Sequence, residues 1–114
     1  MPSSTYAIFR AAILAEQQAI CRYGGCHREL CLFVLGRNKS GEEAALAWQF
    51  AGEVGEGKLP RGGTWKCLRL AKVRNARSRA GPWHEGSAHA KAQTCVTDVD
   101  IDINIHVRTT KRPP

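Results

Sequence analysis

The hydrophobic period of this chain changes at Ala19, and that change sets what the chain can fold into. Before it, Phe9, Ile13 and Ile20 with Ala12 and Glu16 follow the three- and four-residue spacing of one helical stripe. Alanines at 7, 11, 12 and 15 favour helix, and Ser4 or Thr5 supplies an N-cap oxygen, so the spacing predicts a helix over 5–18. The stripe is narrow, and such a helix has to pack on something. After it, Ala19, Cys21 and Tyr23 alternate with Ile20 and Arg22 until Gly24-Gly25 ends the run, which is the signature of a short strand.

Further strands follow at short intervals. Cys26 to Leu35 is richly apolar and leads into the polar connection Gly36-Arg37-Asn38-Lys39-Ser40-Gly41. Glu43 to Ala51 sets Leu46, Trp48 and Phe50 on one side and Ala45, Ala47 and Gln49 on the other. Gly52 to Gly63 holds five glycines and reads as a long surface loop. Thr64 to Leu70 is the next strand, while Ala71 to Ala80 fits a strand or a short helix equally well. Gly81 to Thr94 is irregular. In the last stretch Val99, Ile101, Ile103, Ile105 and Val107 alternate strictly with Asp98, Asp100, Asp102, Asn104 and His106, which predicts a half-buried strand within 95–108. A helix followed by short antiparallel strands gives an α+β domain spanning 1–114, a curled sheet or small barrel with the helix over one open end.

Charge and cysteine usage narrow the function class. The net charge is +7, a balance that suits an anionic partner, nucleic acid or a nucleotide first. Five cysteines are an odd count with no CxxC pair, which points to a reducing cytoplasm and to cysteines acting as small buried hydrophobes. No apolar run is long enough to span a membrane, and Met1-Pro2-Ser3-Ser4-Thr5 lacks a basic leader, so a cytoplasmic protein without a membrane partner is expected.

The densest basic cluster comprises Lys66, Arg69, Lys72, Arg74, Arg77 and Arg79. Arginine presents a planar fork matched to phosphate oxygens, and Trp48 or Trp65 can stack a base. Read blandly, the same residues are a solvated face over core tryptophans. His84, His89 and Cys95, with Cys67 or Cys26-His27 as further members, have zinc-ligand chemistry, but their spacing is looser than a zinc knuckle and no cofactor is assigned. Cys26 and His27 are adjacent on a strand and point to opposite faces, so they form no dyad; no other catalytic constellation stands out, and a non-enzymatic protein is expected. Asp98, Asp100 and Asp102 share a strand face at roughly 6.5–7 Å spacing, too far apart for all three to hold one ion. A solvated face, or pairing with the basic segment 66–79, suits them better.

The stretch 12–73 resembles the WYL domain, an Sm-like or SH3-like β-barrel of bacterial transcription regulators. The resemblance is carried by Ala12-Ile13 and Ala19-Ile20-Cys21-Arg22-Tyr23-Gly24, by His27-Arg28-Glu29-Leu30-Cys31, by Gly41-Glu42 with Leu46-Ala47-Trp48, and by Trp65 to Val73. The Trp-Tyr-Leu triplet that names the family is absent. The resemblance implies a barrel core over 19–80 and a ligand-sensing face that uses Arg28, Trp48 and Arg69, with Lys72 and Arg74 as neighbours. Together with the cluster, the expected ligand residues are Arg28, Trp48, Trp65, Lys66, Arg69, Lys72, Arg74 and Arg77. The alternative is a self-association or protein-interaction module using the Val99–Val107 strand.

Overall fold

The computed structural model describes residues 3–55, 57–86 and 93–107. They form α1 (Ser4–Leu14), β1 (Gln18–Tyr23), β2 (Cys26–Arg37), β3 (Glu43–Gly52), β4 (Thr64–Arg69), a 3-10 turn (Leu70–Lys72), β5 (Val73–Arg79), β6 (Asp98–Asp102) and one π-helical turn (Ile103–Val107). The expected helix and antiparallel sheet are both present, so the α+β class holds. Segment 71–80, open in sequence, divides into the end of the 3-10 turn and a strand.

Ser3, not Ser4 or Thr5, caps α1, its hydroxyl accepting from the Tyr6 N–H at 3.2 Å. The helix also ends earlier than its period predicts. Glu16 takes a left-handed φ of 52°, the Gln17 N–H donates to the Ala12 carbonyl and the Glu16 N–H to Ile13. That closure normally uses glycine, so nothing in the residue types announces it.

The strand order is β4-β3-β2-β1-β5, with β6 also paired to β2. β4 and β5 are consecutive in sequence yet form opposite edges, so the sheet curls until its edges approach at Leu70–Lys72. There the Arg69 N–H donates to the Tyr23 hydroxyl at 3.2 Å, joining the end of β4 to the end of β1. The expected barrel does not close, because β4 and β5 share no ladder. After Val73, β5 carries no buried side chain to lay against β4. α1 packs against β1, β2 and β5 and buries Tyr6, Phe9, Ala12 and Ile13 in the core with Leu30, Leu32, Leu35 and Leu68.

The C-terminal alternation predicts a strand through Val107, but the strand stops at Asp102. The reason lies in β2, whose one edge is shared. β1 pairs with it from Cys26 to Leu30, and β6 pairs with it from Val34 to Arg37, running toward β1. Only residues 31–33 separate the two ladders, so a strand kept in register as far as Val107 would meet the part of the edge that β1 holds. Asp102 turns the chain instead: its Oδ1 accepts from the Asn104 N–H at 2.9 Å and its N–H donates to His106 Nδ1 at 2.8 Å. Ile103 and Val107 then point into the core, while Ile105 is 61% exposed. Asp100 pairs with α1 and not with segment 66–79, accepting from the Tyr6 hydroxyl at 2.6 Å and from Arg10 Nε at 3.2 Å.

The cysteines also depart from expectation. Cys67 on β4 and Cys95 ahead of β6 are disulfide-bonded, their Cα atoms 5.4 Å apart, while Cys21, Cys26 and Cys31 form no disulfide. Burial pushes the Cys21 thiol up to about 11, as suits a core hydrophobe. The bridge spans 28 residues, and in the chain-entropy account a loop of that size stabilises the fold by roughly 3.5 kcal/mol. No helix among the described residues is long and apolar enough to cross a membrane.

The α1–β6 latch yields a pH prediction. The hydrogen bond from Tyr6, then that from Arg10, hold the Asp100 carboxyl below the usual carboxylate range. A carboxyl depressed in the folded state contributes stability above its unfolded pKa of about 4 and loses it as pH falls further. Denaturant titrations across the acid range should therefore show wild-type stability falling with pH, and Tyr6→Phe should flatten that fall while costing about 1–3 kcal/mol at neutral pH.

Candidate functional site

The basic residues gather where β1 meets β5. Their register sets Gln18 opposite Arg79, Ile20 opposite Arg77 and Arg22 opposite Arg74. Residues 18, 20 and 22 alternate along β1 and so share one face, and cross-strand partners share it with them. In a regular strand Arg74 and Arg77, three apart, would point to opposite faces. A bulge prevents this. Asn75 and Ala76 together stand opposite Cys21, and Asn75 adopts a left-handed φ of 56°, which asparagine tolerates better than most residues. The inserted residue brings Arg74, Arg77 and Arg79 onto the face of Arg22.

β2 adds His27, the partner of Arg22, and Glu29, the partner of Ile20. Arg79 donates through Nη2 to Glu29 Oε1 at 2.6 Å and through Nε and Nη2 to Gln18 Oε1 at 2.9 and 2.6 Å. His27 Nε2 lies 3.4 Å from the other oxygen of Glu29. The Arg79 hydrogen bond chiefly holds the Glu29 carboxyl below its ordinary range. Arg79 is thereby compensated. Among the described residues no carboxylate pairs with Arg22, Arg74 or Arg77. Arg22 and Arg74 donate to backbone carbonyls instead: Arg22 Nη2 to Gly25 at 2.6 Å, and Arg74 Nη1 to Ala71 and Val73 at 2.8 and 3.0 Å. Like charges directly opposite each other are unfavourable on a sheet, and Arg22 and Arg74 are such a pair.

Farther across the same face, Cys31 partners Trp48 and Trp48 partners Trp65. Trp65 stands edge-on to Trp48 at 5.1 Å and to Phe33 at 5.0 Å. This aromatic group is not open to a base. Trp48 is 8% exposed and donates through Nε1 to the Gly62 carbonyl at 3.1 Å. Residues 81–86 lie over the group, with Trp83 against Phe33 at 5.4 Å and His84 stacked on Phe50 at 4.0 Å.

The remaining expected ligand residues do not join the Arg22 surface. Lys66 partners Ala47 on the opposite face. Arg28 is 6% exposed, with Nε donating to the Tyr23 carbonyl at 3.2 Å, Nη1 to Gln49 Oε1 at 3.0 Å, and its guanidinium 5.4 Å above the Tyr23 ring. Arg69 is exposed and ion-paired with Glu42 at 2.7 Å. Lys72 is exposed in the 3-10 turn. Arg22, which belongs to the site, escaped the sequence analysis because no local pattern pairs β1 with β5.

The zinc set is not assembled. The sulfurs of Cys67 and Cys95 are bonded to each other, His84 is stacked on Phe50, and His89 lies outside the described residues. No protein family, curated protein or solved structure matches this chain.

The bulge can be tested directly. Asn75→Val should destabilise the fold by about 1–2 kcal/mol, since a β-branched residue resists left-handed φ, whereas Asn75→Gly should be nearly neutral. Equilibrium denaturation of the two variants makes the comparison.

Proposed function

We propose that this chain is a non-enzymatic binding module whose β1–β5 face holds the phosphates of a single-stranded nucleic acid or a nucleotide. One observation carries the reading: Arg22 and Arg74 stand directly opposite, with Arg77 on the same face, and none of them has a carboxylate partner among the described residues. An anion between guanidiniums turns their repulsion into attraction and uses the forked donors of each. Alternate strand positions lie about 7 Å apart, so neighbouring phosphates of an extended strand can each meet one of these side chains. The net charge of +7 supplies a long-range attraction in the same sense.

A stand-alone WYL-like ligand-sensing role, implied by the resemblance over 12–73, is part of this proposal. So is a cytoplasmic setting, although the Cys67–Cys95 bridge is of a kind commoner in oxidising compartments. With Trp48 buried and Trp65 packed edge-on against Trp48 and Phe33, phosphate contacts carry the binding and base stacking does not. A second reading, self-association through the C-terminal segment, is favoured by the exposure of Val99 and Ile105. It has less to work with, because the strand there is only five residues long.

A titration against short single-stranded DNA and RNA over a range of salt tests the first reading. Three phosphate contacts predict a log–log salt slope of about −2, at roughly −0.7 per phosphate for single strands. Arg22→Glu with Arg74→Glu should abolish binding, and Lys66→Ala on the opposite face should leave it intact. Equal binding by the charge-reversed variant, or binding indifferent to salt, would refute it.

A further inference from the structure

His27 extends the apposed arginines into a third strand. Register sets His27 of β2 opposite Arg22 of β1, and Arg22 opposite Arg74 of β5. Cross-strand partners share a face, so the three side chains form one row across strands about 4.8 Å apart. Arg22 and Arg74 are exposed, and the His27 side chain is 42% exposed. The row is open at the β1–β2 hairpin, where a Cβ added at Gly24 or Gly25 would meet nothing within 4 Å among the described residues. The function proposed above uses the guanidiniums alone and leaves this imidazole without a role.

Both carboxylates and guanidiniums surround the ring. Glu29, two residues along β2, places Oε2 at 3.4 Å from His27 Nε2, while its Oε1 accepts from Arg79. Glu53, just past β3, accepts from the His27 backbone N–H at 3.1 Å. Arg22 stands beside the ring on β1, with Arg74, Arg77 and Arg79 beyond it on β5. Cys26 and Arg28, the neighbours of His27 along β2, point to the opposite face. With Nε2 turned to a carboxylate, that nitrogen carries the proton of the neutral ring and Nδ1 carries a lone pair. Nδ1 has no hydrogen-bond partner among the described residues. As a lone pair it repels a phosphate oxygen, and once protonated it donates to one.

We propose that His27 is a proton-dependent member of the anion site: its charged ring adds a fourth phosphate contact beside Arg22, Arg74 and Arg77, and nucleic-acid binding tightens as pH falls. This rests on the phosphate-binding function proposed above and states how that site is regulated. Histidine is the side chain that ordinarily changes charge between about pH 5 and 8. A phosphate over Arg22 favours the charged ring, so the complex takes up a proton that the free protein lacks. By linkage, affinity rises as pH falls through this range and levels off once the free protein is itself protonated. Glu29 keeps the Nε2 proton in place and leaves Nδ1 to the ligand. One strand spacing separates His27 from Arg22, so a single phosphate can accept from both side chains.

The test uses the full chain and a short oligothymidylate without a terminal phosphate, whose bases and diester phosphates keep one charge state over this range. Wild-type protein should bind it about fivefold more tightly at about pH 5.5 than at about pH 8, the gain of one exposed charge contact. The log–log salt slope should steepen with it from about −2 to about −3, since each single-strand phosphate contact contributes roughly −0.7. His27→Gln should keep the weaker affinity and the shallower slope at both pH values. His27→Lys, charged throughout, should hold the tighter affinity at both. His84 and His106 are the other histidines among the described residues, and the two His27 variants separate its contribution from theirs. Equal wild-type affinity at the two pH values overturns the inference and leaves the phosphate-binding function standing, as does a pH response that His27→Gln retains. Absence of binding at either pH, even at low salt, overturns both.

Discussion

β2 is the strand on which everything else is registered, and its edges set the limits of the fold. One edge is taken by β3 from Arg28 to Arg37. The other is divided, β1 holding one half and β6 the other. A divided edge forces two things. β6 cannot run on beside β2 as far as Val107, and the backbone has to come very close where β6 docks. At Gly36 a Cβ would overlap the Asp98 carbonyl and stand 2.9 Å from the Asp100 amide, so the absence of a side chain there lets the last strand join at all. The Asp102 turn and the inward Ile103 and Val107 follow from the same limit.

Burial on β2 shows how the layers arise. Leu30 through Gly36 are all buried, so the strand is covered on both faces. α1 and the rest of the core cover one face. The other is covered by residues 81–86 and by the disulfide-tethered stretch around Cys95. A curled sheet with one helix has only one insulated side, and this chain insulates the second with irregular backbone anchored by aromatic rings. That is why an apparently featureless stretch contains Trp83 and His84.

Local patterns made much of the fold legible. β1, β2, β3 and β4 start and stop within two residues of their predicted bounds, since Gly24-Gly25, the Gly36–Gly41 connection and the glycine-rich loop punctuate them. Three features had no local signal. Glu16 ends the helix in a conformation that residue type does not announce. The C-terminal alternation fits a strand as far as Val107, and competition for the edge of β2, a non-local fact, cuts it short. An odd number of cysteines read as reduced conceals one bridge between positions 28 apart. For the site, the basic cluster was visible but its membership was not. Arg69 is answered by Glu42 and Arg79 by Glu29, and Arg22 comes in through β1–β5 pairing that no run of residues encodes.

The bulge at Asn75 connects the fold to the proposed function. A non-glycine residue at left-handed φ is unfavourable by about 1–2 kcal/mol, less for asparagine, and apposed arginines add a further cost. Both occur at neighbouring positions of one edge strand, and neither improves packing: Asn75 is exposed, and so are Arg22, Arg74 and Arg77. A strand selected only for stability would place a carboxylate opposite Arg22, as Glu29 faces Arg79 nearby. Local rules broken together without a gain in packing are what the proposed anion-binding role asks of this surface. What the bulge achieves is alignment. It gathers guanidiniums that a regular strand would divide between two faces, and an anion is the partner that makes such a gathering favourable.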